Sequence, residues 1–382
     1  MKNDIKKVVV LSNYFNHHQK PFSDEMYARL GDGFLFIETE PMAEERKSLG
    51  WGMASYPDYV VSAEKLAANR DKYVRLINEA DVLLTGSAPE EYVAERKKNG
   101  GLIFRVSERA LKEGFEPLKY LPRLVKWNLK NMPRKNIYML CSSAYAAGDY
   151  AKFGLFRGRC YKWGYFTELR QYDDLDALLD RKKKNSLLWV ARLIELKHPE
   201  RALMTAARLH KEGYDVTLTL VGNGPLDKAI SDQAESLGIS DRVHLVGAVT
   251  PERVREYMEE SEVFMFTSDR NEGWGAVLVE AMNSGCAVVS DEIIGASPFL
   301  ISNGENGFTY PDGNTEVLYE RTRELLADSE LRRRMAKAAY ATIRDQWNAK
   351  NAAERFLTLA SQIAEGGKGA VPYTDGVCSP SK

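Results

Sequence analysis

The sequence has few cysteines, and the four it contains, Cys141, Cys160, Cys286 and Cys378, lie far apart. They show no CxxC pair and no Cys/His ligand spacing. That argues against a disulfide framework and a zinc site, and it points to a reducing, cytoplasmic setting. No apolar run approaches the roughly 20 residues that a bilayer span needs. The basic start MKNDIKK is followed only by the short apolar run 8–11, which reads as a first buried strand and not as a signal peptide. Net charge is also lacking. The 53 Lys and Arg nearly balance 54 Asp and Glu, so no global basic field points to nucleic acid. There is no short-period repeat. No GxGxxG follows the first strand, which weighs against a dinucleotide-dependent dehydrogenase.

What is present is a globular balance, 44% hydrophobic and 28% charged, in 382 residues, enough for two ordinary domains. Short apolar runs alternate with longer amphipathic segments, the pattern of parallel sheets covered by helices. Strands are expected at 7–11, 34–37, 82–85, 102–106 and 137–141, and again at 187–190, 217–221, 243–246, 263–266 and 287–290. The charged stretch 171–186 shows no buried face and reads as a linker between domains 1–170 and 187–345. A last helix is expected at 346–365. The tail 366–382 is rich in Gly, Pro and Ser and reads as disordered.

Three segments of the second half carry chemistry. Arg192 directly follows a strand, and Lys197 precedes Pro199, a residue suited to a first helical turn. Such cations at the carboxyl end of a strand suit a diphosphate, because Arg grips two oxygens and Lys acts as a point charge. Taken alone they read equally as surface cations. Gly222, Asn223, Gly224 and Pro225 close a second strand, where glycines let backbone approach a ligand. The third segment runs from a polar loop through Glu272, Gly273, Trp274 and Gly275 into a helix that starts near Ala276, carries Glu280 and ends at Gly285. A helix start directs N–H groups and a positive dipole end at the loop. A carboxylate such as Glu280 can accept two hydrogen bonds from a vicinal diol such as a ribose.

In this order and spacing, the three segments resemble the nucleotide-sugar domain of family 4 glycosyltransferases, the retaining group 1 enzymes. The resemblance implies an α/β GT-B fold, two facing Rossmann-like doubly wound domains with a C-terminal helix crossing back to the first. It implies transfer of a sugar from a UDP- or GDP-linked donor to a glycan or lipid-linked acceptor, in cell-surface polysaccharide or glycoconjugate synthesis, with no metal and no cofactor. Arg192 and Lys197 would bind the diphosphate, and Glu280 the ribose. Glu272 with the amides of Gly273, Trp274 and Gly275 would hold the sugar, and Val249 would lie near the base. Gln346, Trp347 and the helix beyond would brace the first domain. A nucleotide-sugar epimerase of the same fold and an inactive nucleotide-sugar-binding homologue are the alternatives.

The first half departs from the family pattern. SNYFNHHQKPF, residues 12–22, stands where a Gly-rich turn is usual. Asn13, His17, His18 and Gln19 then read as acceptor contacts, or else as a helix cap at Asn16 beside a solvated His. Ser107, Glu108 and Arg109 replace a family His. Arg109 would stabilise phosphate charge, and Glu108 would hydrogen-bond an acceptor. Phe299 stands where the family often has an acidic residue. Asp174 and Asp176 fall in the expected linker and read as a solvated helix face. Finally, 118–136 has helical periodicity, with Leu121, Leu124, Val125, Leu129 and Met132 on one face, Lys119, Arg123, Lys126 and Lys130 on the other, and Trp127 at the margin. It reads as a peripheral membrane contact or as a core-packed helix with a basic outer face.

Overall fold

The computed structural model describes residues 5–44, 52–53, 55–114, 116–132, 135–366 and 373–382. The chain divides into two compact units, 1–167 with 348–382, and 168–347.

The first unit is built on a seven-stranded parallel sheet of β1 (Val8–Ser12), β2 (Phe34–Glu38), β3 (Val60–Val61), β4 (Val82–Thr85), β5 (Leu102–Ser107), β6 (Ile137–Cys141) and β7 (Cys160–Lys162), in the order β3-β2-β1-β4-β5-β6-β7. Helices cover both faces, so central strands have no polar side, and β1 is buried at every position. The helix Ala349–Ala364 belongs to this unit and packs on the helix Lys20–Leu30. Phe356 lies 5.1 Å from Phe104, 5.9 Å from Trp163 and 6.3 Å from Phe22, ring centre to ring centre.

The second unit carries a six-stranded parallel sheet of β8 (Lys183–Val190), β9 (Thr217–Val221), β10 (Val243–Gly247), β11 (Ser261–Phe266), β12 (Ala287–Asp291) and β13 (Phe308–Tyr310), in the order β10-β9-β8-β11-β12-β13. Leu187, Trp189, Leu218, Val263 and Val289 from its strands meet Leu203 and Leu325 from the covering helices in one core. Each sheet reverses its winding direction beside its first strand, between β1 and β4 and between β8 and β11. In open α/β sheets, ligands bind at the carboxyl edge of that switch point.

Three expectations need correction. The stretch 171–186 is not a linker. It forms the helix Leu175–Asp180 and the start of β8, and the unit boundary falls at 167/168. Its charge pattern hides Lys182, a buried ammonium that donates to the carbonyls of Met258 (2.8 Å), Ser261 (2.8 Å) and Ser284 (3.0 Å). Those bonds compensate a burial that lowers its pKa. Asp174 caps the helix by accepting from the Ala177 N–H, and Asp176 pairs with Lys337 at 2.6 Å.

The tail is not uniformly disordered either. Residues 367–372 lie outside the described residues, but Val377, Cys378 and Ser379 are fully buried. The edge strand β7 has backbone groups to satisfy, and the tail supplies partners. The Lys162 N–H donates to Ser379 O (2.8 Å), and the Cys378 N–H donates to Lys162 O (2.9 Å). All four cysteines are buried free thiols. The short strands β3, β7 and β13, two or three residues each, were not legible in the apolar pattern.

The third correction concerns the segment 118–136. Its helix spans Pro117–Lys130, and residues 133–134 lie outside the described residues. Leu124 and Trp127 do not share in an outer apolar face. With Tyr120 they pack on the core of the first unit, where Trp127 meets Tyr150 edge-on at 5.1 Å and Tyr120 stacks on Phe153 at 5.6 Å.

Candidate active site

The loops after β8 and β11 meet at the switch point of the second unit. Thr267, just past β11, joins them. Its hydroxyl accepts from the Trp189 indole N–H (2.9 Å) and donates to the carbonyls of Lys197 (2.8 Å) and His198 (2.9 Å). The Asp269 N–H donates to Leu196 O (2.9 Å). Lys197 lies in a 3-10 turn, Glu195–Lys197. His198 then takes a left-handed backbone (φ 49°), and Pro199 opens the helix Pro199–Lys211.

That geometry brings Lys197 onto Glu272. The ammonium and the carboxylate form a partly buried ion pair, and the Ser268 hydroxyl donates to the same carboxylate oxygen at 3.2 Å. His198 bridges Glu200 (2.7 Å) and Asp269 (3.5 Å) beside it. Arg192, by contrast, is exposed, and among the described residues no ion pair or hydrogen bond engages its guanidinium.

Gly275 is the residue before the helix Ala276–Asn283 and has φ +95°. A Cβ there would lie 2.5 Å from the Phe266 ring, so the position admits only glycine without strain. Among the described residues the N–H groups of Gly273 and Gly275 donate to no acceptor. Trp274 is buried between them. Its ring lies 5.9 Å from Trp347 and 6.2 Å from Phe299, and Phe299 stacks on Trp347 at 18°. Phe299, where the family often has an acid, is thus the third ring of an aromatic cluster behind the loop.

Glu280 is one turn further along this helix. Burial raises its carboxyl pKa from 4.5 to about 7, against the opposing pull of Arg255 and Arg170. Among the described residues no group hydrogen-bonds the carboxyl. Sequence reasoning missed Arg255 and Arg170. Arg255 is buried on the helix Pro251–Glu260 and donates to Asn283 Oδ1 (2.6 Å) and Ser284 Oγ (2.9 Å). Nothing in a surface-like ERVREYMEE run marks it. Val249 is partly buried in the loop between β10 and that helix.

The glycines after β9 pack against the loop that carries Arg192. At Gly222 (φ +132°) a Cβ would lie 1.8 Å from Ala191 O, and at Gly224 it would lie 2.3 Å from Leu193 O. On the side where a Cβ would stand, both glycines meet carbonyls of the Arg192 loop, so that loop packs directly on the turn. The turn clamps that loop: the Leu193 N–H donates to Asn223 O (2.9 Å), and the Leu226 N–H to Leu193 O (3.1 Å).

In the first unit, Asn13, His17 and His18 follow β1. The two imidazoles lie 3.9 Å apart, and burial beside His17 lowers the His18 pKa to about 3. His18 is therefore neutral at physiological pH and suited to hydrogen bonding, not to holding a proton. Asn16 closes the turn by accepting from the His18 N–H at 2.9 Å. The helix that follows has Gln19 at its cap position and no side-chain cap. Glu108 and Arg109 follow β5, with β4 between β5 and β1. Both have structural partners. Glu108 accepts from Tyr165 OH (2.7 Å) and pairs with Lys112 (2.6 Å). Arg109 is buried against Asp149 (3.5 Å) and the Tyr145 ring (4.7 Å).

Two parallel α/β sheets, each wound about its own switch point, with this loop set on the second, define the GT-B fold. HepE of Anabaena, solved in complex with UDP and glucose, has the same fold: TM-score 0.67 at 16% identity, covering 94% of this chain and 99% of that one. Residues 173–342 match the family described as glycosyl transferases group 1. Its curated relatives include the N-acetyl-alpha-D-glucosaminyl L-malate synthase of Bacillus anthracis, 27% identical over 173 residues, or 45% of this chain and 44% of the relative. The alpha-D-kanosaminyltransferase of Streptomyces kanamyceticus is 30% identical over 173 residues, or 45% of this chain and 43% of the relative. The match thus spans less than half the length of each.

Proposed function

We propose that the protein is a retaining glycosyltransferase that moves a sugar from a nucleoside diphosphate donor to a glycan or lipid-linked acceptor without a metal ion. The observation that carries this reading is the assembly at the carboxyl edge between β8 and β11. There an exposed arginine, a Lys–Glu pair and unengaged N–H groups at a helix start lie on the loops of one switch point, and the Glu280 carboxylate follows on the helix that begins there. Of the proteins named above, one is a kanosaminyltransferase by name and one was solved with UDP and glucose, which supports the class.

In this reading Arg192 and Lys197 hold the diphosphate, and the anionic donor competes with Glu272 for the Lys197 ammonium. Glu272, released, accepts hydrogen bonds from the sugar together with the N–H groups of the Gly273–Gly275 turn. Glu280 accepts from the ribose diol, and Val249 lies against the base. The C–O bond from the sugar to the phosphate breaks while the acceptor oxygen bonds to the same face of the anomeric carbon. The acceptor proton goes to the departing phosphate oxygen. Catalysis is then mainly positioning and stabilisation of the leaving charge.

The test is the melting temperature of the full chain titrated with UDP- and GDP-sugars in excess EDTA, because a ligand of the native state raises apparent stability. A shift with one nucleotide class, lost in Arg192→Ala and Glu280→Ala, is expected. No shift with any nucleotide-sugar defeats the donor assignment. A shift abolished by EDTA defeats metal independence. Conversion of the donor to its epimer without an acceptor makes the protein an epimerase.

A further inference from the structure

The helix Pro117–Lys130 buries none of its residues fully, although its sequence is apolar along much of its length. Tyr120, Leu124 and Trp127 hold it to the first unit. Facing away are Leu118 (94% exposed), Leu121 (66%), Val125 (57%) and Leu129 (69%), with Met132 (51%) just past the helix end. At about 100° per residue the four helical positions fall within a stripe roughly 80° wide, and Met132 follows it beyond the last turn. Leu245, Leu237, Met204 and Tyr56, the other exposed large apolar side chains among the described residues, are scattered along the chain.

Four cations, Lys119, Arg123, Lys126 and Lys130, form one flank of the stripe, between it and the buried face, and residues 117–132 contain no Asp or Glu. Lys119 and Arg123 are met by Glu113 and Glu116 at the helix start, and Lys130 by Glu90 at 3.5 Å. Lys126 is exposed and has no ion pair among the described residues. A contiguous apolar stripe in water is costly unless something covers it. A cationic flank on a chain of net charge −1 identifies what does so: a surface that is apolar below and anionic above.

We propose that this helix docks the protein on an anionic lipid bilayer, with Leu118, Leu121, Val125, Leu129 and Met132 entering the acyl boundary and the cationic flank lying along the headgroups. This surface does not depend on the transfer reaction. Because Trp127 faces the protein core, the stripe can be changed without touching the packing that holds the helix.

The test is co-sedimentation of the full chain with phosphatidylglycerol-containing vesicles and with pure phosphatidylcholine vesicles, at low and high salt. Binding is expected to the former, weakened by salt. Leu121→Ser, Val125→Ser and Leu129→Ser combined should reduce it by at least about 100-fold. Lys126→Glu should reduce it several-fold by loss of one surface cation. Melting temperature should change little in either variant, since the altered side chains are exposed. Absence of vesicle binding at low salt overturns the proposal. So does a triple variant that binds as the wild type does. A concentration-dependent dimer that the triple variant abolishes, without vesicle binding, assigns the stripe to a second copy of the chain and likewise overturns it.

Discussion

Lys197 and Glu272, 75 residues apart in sequence, form one ion pair at the edge between β8 and β11. In the proposed function one is a phosphate cation and the other a sugar acceptor. Paired, each holds the other in place, and on the proposed function a donor diphosphate would compete for the lysine. Lys197→Met should lower kcat by about 100- to 1000-fold, as loss of one transition-state charge contact does. Glu272→Gln should leave nucleotide diphosphate binding intact or tighter, because the lysine is released, while kcat for sugar transfer falls. Steady-state kinetics beside calorimetric titration with the free nucleotide separates the two effects.

On the proposed function Glu280 would link donor binding to pH. Burial raises its pKa to about 7. The ionised carboxylate is the form that accepts two hydrogen bonds from a diol, so donor Kd should fall as pH rises toward 7 and level off above it. The slope below the pKa should approach about tenfold per pH unit. Stability has the opposite sign. The native state binds this proton more tightly than the unfolded chain, so the contribution of Glu280 is fully present below its unfolded pKa of about 4.5 and is lost as pH rises to about 7. Glu280→Gln should therefore be more stable than wild type at pH 8 and bind donor weakly at every pH.

Acid should act on the first unit through His18. Its folded pKa of about 3 lies below the unfolded value of 6.5, so the native state favours the neutral ring. The stability this provides is present above pH 6.5 and is lost as pH falls toward 3. Urea unfolding across that window should show a steep acid limb, flattened in His18→Gln. An unchanged limb in the variant assigns the acid sensitivity to other groups. Glu280 and Asp291, whose pKa burial raises to about 6, oppose the His18 effect over part of the range.

Gly275→Ala should cost about 2–4 kcal/mol of stability, because a positive φ and a contact with the Phe266 ring coincide there. Gly304 (φ +86°) has the same backbone constraint and nothing within 4 Å of an added Cβ, so Gly304→Ala should cost only about 1 kcal/mol. Chemical denaturation of the pair isolates the steric part of the Gly275 requirement.

Much of the architecture is written locally. Buried parallel strands must be apolar on both faces, so their runs stand out without an alignment. The Glu272–Glu280 segment announces a turn and a helix start through its glycines. The sequence also placed Arg192 and Lys197 after β8 and Glu280 inside its helix, because chain order alone sets position relative to strand ends. What it left open are relations across space. Only the packed sheet decides that Lys197 meets Glu272, that Arg255 and Arg170 lie near Glu280, and that Gly222 faces a carbonyl of its own domain. A periodic pattern shows that the helix Pro117–Lys130 has faces but not which one the core takes. Tyr120, Leu124 and Trp127 filled the core, and the aliphatic stripe was left outside. The tail 373–382 shows the same limit: Val377 and Cys378 are buried, but two apolar side chains in a polar run form no pattern that marks it as ordered. The unsatisfied backbone edge of β7, which exists only once the sheet has formed, is what binds it.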